Sequence, residues 1–197
     1  MYETEKITLL PLTPPKAKSI RHLYDIWFHD QKATKYSSHG LFAYTRSKFD
    51  DFIKSIEENK DIVWTINRKK RPLEGNIVIG TISLQKINWV NRSAELAVFI
   101  GETNCWGKGY ATEAIKLLFK HGFEKLNLNR IWTGTARTNI GMIKVALKLG
   151  MRKEGTFREA VYLEGKYVSV YMYGILASQW FDENKPIDIQ KPLQKEN

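Results

Sequence analysis

Apolar residues recur along this chain with two periods, and the switches between them lay out the secondary structure. Alternating or continuous apolar runs at Ile7–Leu10, Ile62–Asn67, Ile77–Ile87, Ser93–Ile100, Ile131–Ala136, Met151–Tyr162 and Tyr167–Leu176 predict strands. Helical spacing takes over between them. Pro14-Pro15 start one helical segment through Ile20, Leu23, Ile26 and Trp27. A second spans Thr45 to Glu58, with Thr45 as N-cap and Phe49, Phe52, Ile53 and Ile56 on one face. Ala111, Ala114, Ile115, Leu118, Gly122 and Leu126 mark a third, and Asn139 opens a fourth. Glu164-Gly165 reads as the turn of the final hairpin. The order is mixed α and β, with no internal repeat and no linker, so residues 1–183 form one predicted domain. Residues 184–197, polar and broken by Pro186 and Pro192, read as a loosely held tail.

The densest chemical signal lies where the Ser93–Ile100 strand passes into the third helix. Trp106-Gly107-Lys108-Gly109-Tyr110-Ala111-Thr112 places two glycines directly before a helix N-terminus. Such a turn gathers unpaired N–H donors and the positive end of the helix dipole at one point, which suits phosphate. Two glycines also serve as plain turn punctuation, so context decides. A dinucleotide fold wants three glycines with an acidic residue about twenty positions on. A Walker A loop wants Ser or Thr after Gly-Lys, and here Lys108 precedes Gly109-Tyr110. Neither nucleotide motif fits.

The segment resembles instead the signature of the Gcn5-related N-acetyltransferases (GNAT), in which Gln or Arg is followed by two residues, Gly, one residue, and Gly or Ala. Gly109 and Ala111 match; Trp106 departs at the first position, as it does in the branch containing the ribosomal-protein alanine N-acetyltransferases and many small-molecule relatives. Asn139-Ile140-Gly141-Met142 running into Leu149-Gly150-Met151 is similar to the family's next helix. Glu154 to Val168 is similar to that branch's final hairpin. The resemblance, over residues 77–180, implies a mixed, mostly antiparallel sheet of about seven strands flanked by helices and splayed at the acetyl-CoA site. It implies that pantetheine pairs with Val98, Phe99 and Ile100, that the pyrophosphate takes N–H groups from Gly107, Lys108, Gly109, Tyr110, Ala111 and Thr112, and that Asn139 contributes to cofactor binding.

Composition narrows the picture from outside. Lys and Arg number 31 against 21 Asp and Glu, a formal charge of +10, which favours anionic ligands without choosing among them. Arg68-Lys69-Lys70-Arg71 is the densest basic cluster, but Pro72 and Gly75-Asn76 follow it between apolar runs, so it reads as a solvated hairpin loop. No helix-turn-helix, zinc spacing or RNA-binding aromatic motif accompanies it, which argues against nucleic acid as partner. There is neither an apolar run of about 20 residues nor a signal peptide, so a cytoplasmic protein without membrane attachment is expected. The single Cys105 excludes an internal disulfide and reads as a packed small residue. His22, His29, His39 and His121 show no metal-ligand spacing, and no metal is expected.

Acetyl transfer from a thioester to an amine requires a neutral amine, donors for the developing oxyanion, and a proton for the departing thiolate. Glu95 is the expected base, set inside an apolar strand, where a carboxylate is costly unless paired or functional. The alternative is a structural ion pair with Arg92 or Arg130. For the acid, relatives often carry Tyr seven residues after the Asn, or Ser three after it; here those positions are Ala146 and Met142. Tyr162, Tyr167 and Tyr171 are possible substitutes, although strand aromatics usually pack. Arg158-Glu159 could face the acceptor or form a local ion pair. Trp27, Phe28, Tyr36, Phe42 and Tyr44 resemble one wall of an acceptor pocket or core. The Trp89–Arg92 segment and the aromatic loop near Tyr36 resemble small-molecule members, so the expected acceptor is a small-molecule amine such as an amino sugar or nucleotide-linked amino sugar. The alternatives are a protein N-terminus and a noncatalytic acyl-CoA- or nucleic-acid-binding module. A monomer or homodimer is expected.

Overall fold

The computed structural model describes residues 1–37, 45–58, 61–69 and 75–182. Its elements are β1 (Tyr2–Glu3), β2 (Ile7–Pro11), α1 (Pro14–Ser19), α2 (Arg21–His29), α3 (Gln31–Thr34), α4 (Arg46–Glu57), β3 (Ile62–Arg68), β4 (Ile77–Asn88), β5 (Ser93–Ile100), α5 (Tyr110–Glu124), β6 (Arg130–Ala136), α6 (Ile140–Lys148), β7 (Arg152–Leu163), β8 (Lys166–Leu176) and α7 (Ala177–Phe181). The strands form one sheet in the order β1-β2-β3-β4-β5-β6-β8-β7. Every neighbouring pair is antiparallel except β5–β6.

Strand alternation gives the sheet two apolar faces, each covered by helices. On one face Ile7, Leu9, Ile66, Leu84, Leu96 and Ile131 pack against Ala114, Ile115, Leu118 and Phe119 of α5. On the other, Val63 and Val78 meet Tyr24 and Trp27 of α2 and Phe49 and Ile53 of α4. Fully burying each large aliphatic contributes about 1.5–3 kcal/mol. The two layers hold β5 between them, and its last residues end beside α2.

The structure departs from the expected elements at several places, the short α3 among them. The sheet has eight strands, because Tyr2–Glu3 joins its edge: the Tyr2 ring stacks on Trp64 at 5.2 Å and its hydroxyl bonds His121 Nδ1 at 3.0 Å. That contact also gives His121 its packing role, and burial lowers its pKa. The helix expected from Pro14 to Trp27 divides at Ile20, a buried residue whose N–H closes α1 on the carbonyls of Lys16 and Ala17. The short α7 sets Trp180 against Phe119 and Phe123, a tertiary contact with no periodic signal. Thr45 caps α4 as expected, accepting from the Lys48 N–H at 3.4 Å. Glu164 and Gly165 turn the last hairpin with φ of 49° and 82°, the left-handed pair that a two-residue turn demands. Among the described residues no helix is long and apolar enough to cross a membrane. His39, Phe42, Tyr44, Lys70, Arg71, Pro72 and the tail 184–197 lie outside the described residues.

Gly101, directly after β5, lies under the indole of Trp27, whose Nε1 donates to Glu102 at 2.9 Å; a Cβ on Gly101 would overlap the ring. Gly101→Ala is expected to destabilise the fold by about 1–3 kcal/mol through overpacking. Urea unfolding checks it, as a lower midpoint at unchanged slope.

Candidate active site

The turn after β5 is shaped by two glycines in conformations other residues rarely adopt. Gly107 has φ +74° and Gly109, the N-cap of α5, has φ +86°. A Cβ on Gly107 would meet nothing within 4 Å, and one on Gly109 would meet only Lys6 Nζ, at 3.9 Å. Backbone conformation, not crowding, therefore calls for glycine there, and the space outside the turn is open. No side chain caps α5. The first-turn N–H groups of Tyr110, Ala111 and Thr112 thus have no intrahelical acceptor and point out of the helix. Trp106 staples the turn back onto β5, its Nε1 donating to the Ile100 carbonyl at 2.9 Å. Cys105 beneath is buried and burial raises its pKa, in line with a packed thiol.

A second feature lies on the same strand. β5 and β6 pair only over Ser93–Glu95 with Arg130–Trp132. Beyond those pairs β5 stays with β4 as far as Ile100, while β6 stays with β8 as far as Ala136. The strands therefore part after Glu95 and Trp132, leaving a wedge between two half-sheets. Gly80 helps draw β5 toward β4, since a Cβ there would overlap the Phe99 carbonyl. Exposure follows the parting: Ala94 and Leu96 are buried, whereas Ala97, Val98, Phe99 and Ile100 are each half-buried.

Glu95 stands at the apex of this wedge, on the face opposite Ala94 and Leu96. It does form an ion pair, the alternative to a base, but with neither Arg92 nor Arg130: its partner is Lys86, at 2.8 Å. Arg130 instead pairs with Glu154, and Arg92 donates to Asn127 at 3.3 Å. Lys86 reaches Glu95 because the β4–β5 register slips between Gln85 and Asn88, with Lys86 at φ 49°. The Lys86 ammonium also lies 5.7 Å from the Trp132 ring centroid. Asp61 completes the cluster: burial raises its pKa, the Lys86 backbone N–H opposes this, and the charge of Glu95 raises it further.

The remaining candidates divide between cap, core and rim. Asn139 caps α6, its Oδ1 accepting from the Met142 N–H at 3.2 Å, so its carbonyl oxygen is already engaged. Ala146 is fully buried in the main core, and Ile140–Lys148 contains no hydroxyl or carboxyl. Tyr162 and Tyr167 pack on each other at 5.2 Å near the exposed hairpin tip, whereas Tyr171 carries Lys153 Nζ 3.5 Å from its ring centroid. A bulge between Phe157 and Val161 turns Arg158 and Glu159 out to solvent. Trp27 is core, and Tyr36 donates to the Thr138 carbonyl at 2.9 Å. Exposed Trp89 belongs to the β4–β5 turn, at the opposite end of β5 from the cradle. Among the described residues no group of three or more His, Cys, Asp or Glu could hold a metal.

Sequence reasoning missed Lys6, Lys86 and Asp61, which are brought in by sheet pairing, and it read Arg68 as part of a solvated loop, whereas Arg68 ends β3 opposite Ile7. Lys6, from the β1–β2 turn, bridges Glu113 at 3.2 Å in the first turn of α5, and Thr4 donates to the same carboxylate.

Residues 7–152 match the acetyltransferase (GNAT) domain family, to which the chain belongs. The uncharacterized N-acetyltransferase p20 of Bacillus licheniformis is 37% identical over 107 residues, 54% of this chain and 60% of that protein. Spermidine N(1)-acetyltransferase of Escherichia coli is 33% identical over 106 residues, again 54% of this chain, and 56% of that enzyme. The chain thus spans less than two thirds of either relative. Its fold is similar to that of spermidine N-acetyltransferase from Vibrio cholerae crystallised with CoA and spermine, with TM-score 0.74 and 23% identity over 90% of this chain and 99% of that one.

Gly109→Val is expected to abolish acetyl-CoA binding in a folded protein, since a branched residue disfavours φ +86° and fills the open side of the turn. Calorimetry with CoA checks it; unchanged affinity contradicts the cradle.

Proposed function

We propose that the chain transfers the acetyl group of acetyl-CoA to a primary amine of a small molecule, by direct attack with both substrates bound. The observation that carries this reading is the coincidence, on one strand, of an open anion cradle at one end and the apex of a wedge, with a carboxylate, toward the other. Acetyl-CoA, when bound, supplies the activated thioester carbonyl. Backbone N–H groups from Gly107 to Thr112 hold its phosphates. The edge of β5 at Val98 offers amide groups to an extended chain, in the manner of an added strand, whereas Phe99 turns its carbonyl to Gly80 of β4. Ile100 contributes less than its position suggests, because Trp106 already occupies its carbonyl. Asn139 keeps only its amide N–H groups for a ligand.

Glu95 accepts the proton that the attacking ammonium must lose. The Lys86 ammonium on Glu95 marks a position where a cationic amine satisfies the carboxylate, with the Trp132 face beside it. The second carboxyl, Asp61, makes this spot acidic on a chain of charge +10. That chemistry, with the likeness to spermidine acetyltransferase, favours an aliphatic polyamine over an amino sugar. Departure of the thiolate uses no dedicated side-chain acid, since α6 carries none.

Thioester consumption measured against spermidine, amino sugars and peptides with a free N-terminus tests the reading. Turnover is expected with spermidine; peptide-only turnover favours a protein substrate, and CoA binding without any turnover indicates a noncatalytic module. Glu95→Gln is expected to lower kcat at neutral pH by roughly 10²-fold or more with acetyl-CoA affinity intact. Wild-type turnover with a matched pH profile would give Glu95 a structural role. Phe substitution of Tyr162, Tyr167 or Tyr171 is expected to keep kcat within about tenfold, because a proton donor of ordinary importance contributes about 10²–10⁴-fold. A single variant losing more than a hundredfold, with binding preserved, would identify the acid.

A further inference from the structure

The basic run beginning at Arg68 reads from sequence as a solvated loop, yet its first residue lies inside the sheet. Arg68 ends β3 opposite Ile7 of β2. Strand alternation puts it on the same face as Trp64 and Ile66, the face that α5 covers. Its Nε is buried with no hydrogen-bond partner, an arrangement that leaves a cationic donor unsatisfied. Lys69 donates its backbone N–H to the Lys6 carbonyl at 2.9 Å, tying the start of the basic run to the β1–β2 turn. Lys6 Nζ in turn lies 3.9 Å from where a Gly109 Cβ would stand. Arg68 and Lys108 both act electrostatically on the Cys105 thiol directly beneath the cradle.

Three cations from separate parts of the chain thus converge on the N-terminus of α5. Glu113 offsets one of them, bridged to Lys6 and bonded by Thr4, and Glu102 also acts on the Cys105 thiol. Gathering like charges is unfavourable, and a multiply charged anion relieves it. The geometry points to Lys6 and Arg68 as a cationic wall that extends the glycine cradle and binds phosphate groups of CoA. This inference rests on the acetyl-CoA reading above. The phosphates in reach of such a wall are the pyrophosphate and the 3′-phosphate, which share one chemistry.

Calorimetric titration separates them, with CoA and 3′-dephospho-CoA as probes on wild type, Lys6→Met, Arg68→Met and Arg68→Lys. Lys116→Met, an exposed position on α5, controls for net charge. Lys6→Met is also made in a Glu113→Gln background, so that loss of affinity cannot arise from an unmasked Glu113. Each Met variant is expected to weaken CoA binding by about tenfold or more, the scale of a charge-assisted hydrogen bond, and to flatten its salt dependence. Loss confined to CoA assigns the wall to the 3′-phosphate, and equal loss with both probes assigns it to the pyrophosphate. If Arg68→Met fails to fold, Lys6→Met and Arg68→Lys still decide. Folded variants that bind CoA as Lys116→Met does overturn the inference. A wild type that binds no CoA overturns the acetyl-CoA reading itself.

Discussion

The separation of β5 from β6 after a three-residue parallel pairing is the constraint on which the rest of the site depends. A sheet this size ordinarily satisfies its backbone groups strand by strand. Here the ladder stops at Glu95 and Trp132, while the outer partners of both strands continue. The half-buried stretch from Ala97 to Ile100 therefore borders an opening instead of a neighbour. Trp27 over Gly101 and the Phe99 carbonyl over Gly80 are close approaches that only glycine permits, and both hold the end of β5 on the β4 side. The anion cradle follows within a few residues. Opening and cradle are thus fixed to one rigid strand, which is what positioning two parts of a long acyl donor requires.

Much of this was legible because it is local. The glycines at 107 and 109, the strand before them and the apolar face after them lie within one continuous segment, and their conformations are imposed by adjacent residues. The same holds for the Thr45 cap and the Glu164-Gly165 turn. What the sequence hid was register. Nothing near Glu95 in the chain announces Lys86, which reaches it only because the β4 bulge moves it into place, so Arg92 and Arg130 looked like equal candidates. Ile20 ends α1 inside an apolar pattern that is continuous on paper. Tyr2–Glu3 becomes a strand through contacts with Trp64 and His121, distant in sequence.

Charge behaves in the same way. The net +10 states a preference for anions without an address. Sheet order gathers part of it, setting Lys6 of the β1–β2 turn beside the first turn of α5 and the end of β3 beside that β1–β2 turn. At the wedge apex the balance reverses, with Glu95 and Asp61 around one lysine. In the proposed reading one end of β5 takes phosphate and the other a cationic amine, the two partners of an acetyl transfer.

The most direct test of this account is amide hydrogen exchange, read residue by residue, with and without acetyl-CoA. The account predicts slowed exchange at Val98 along the wedge together with Gly107 to Thr112 in the cradle, and little change at Phe99, which faces β4, or at Trp89–Arg92. Protection of the cradle alone would contradict the wedge as the path of the acyl arm, and protection at neither would contradict the account as a whole.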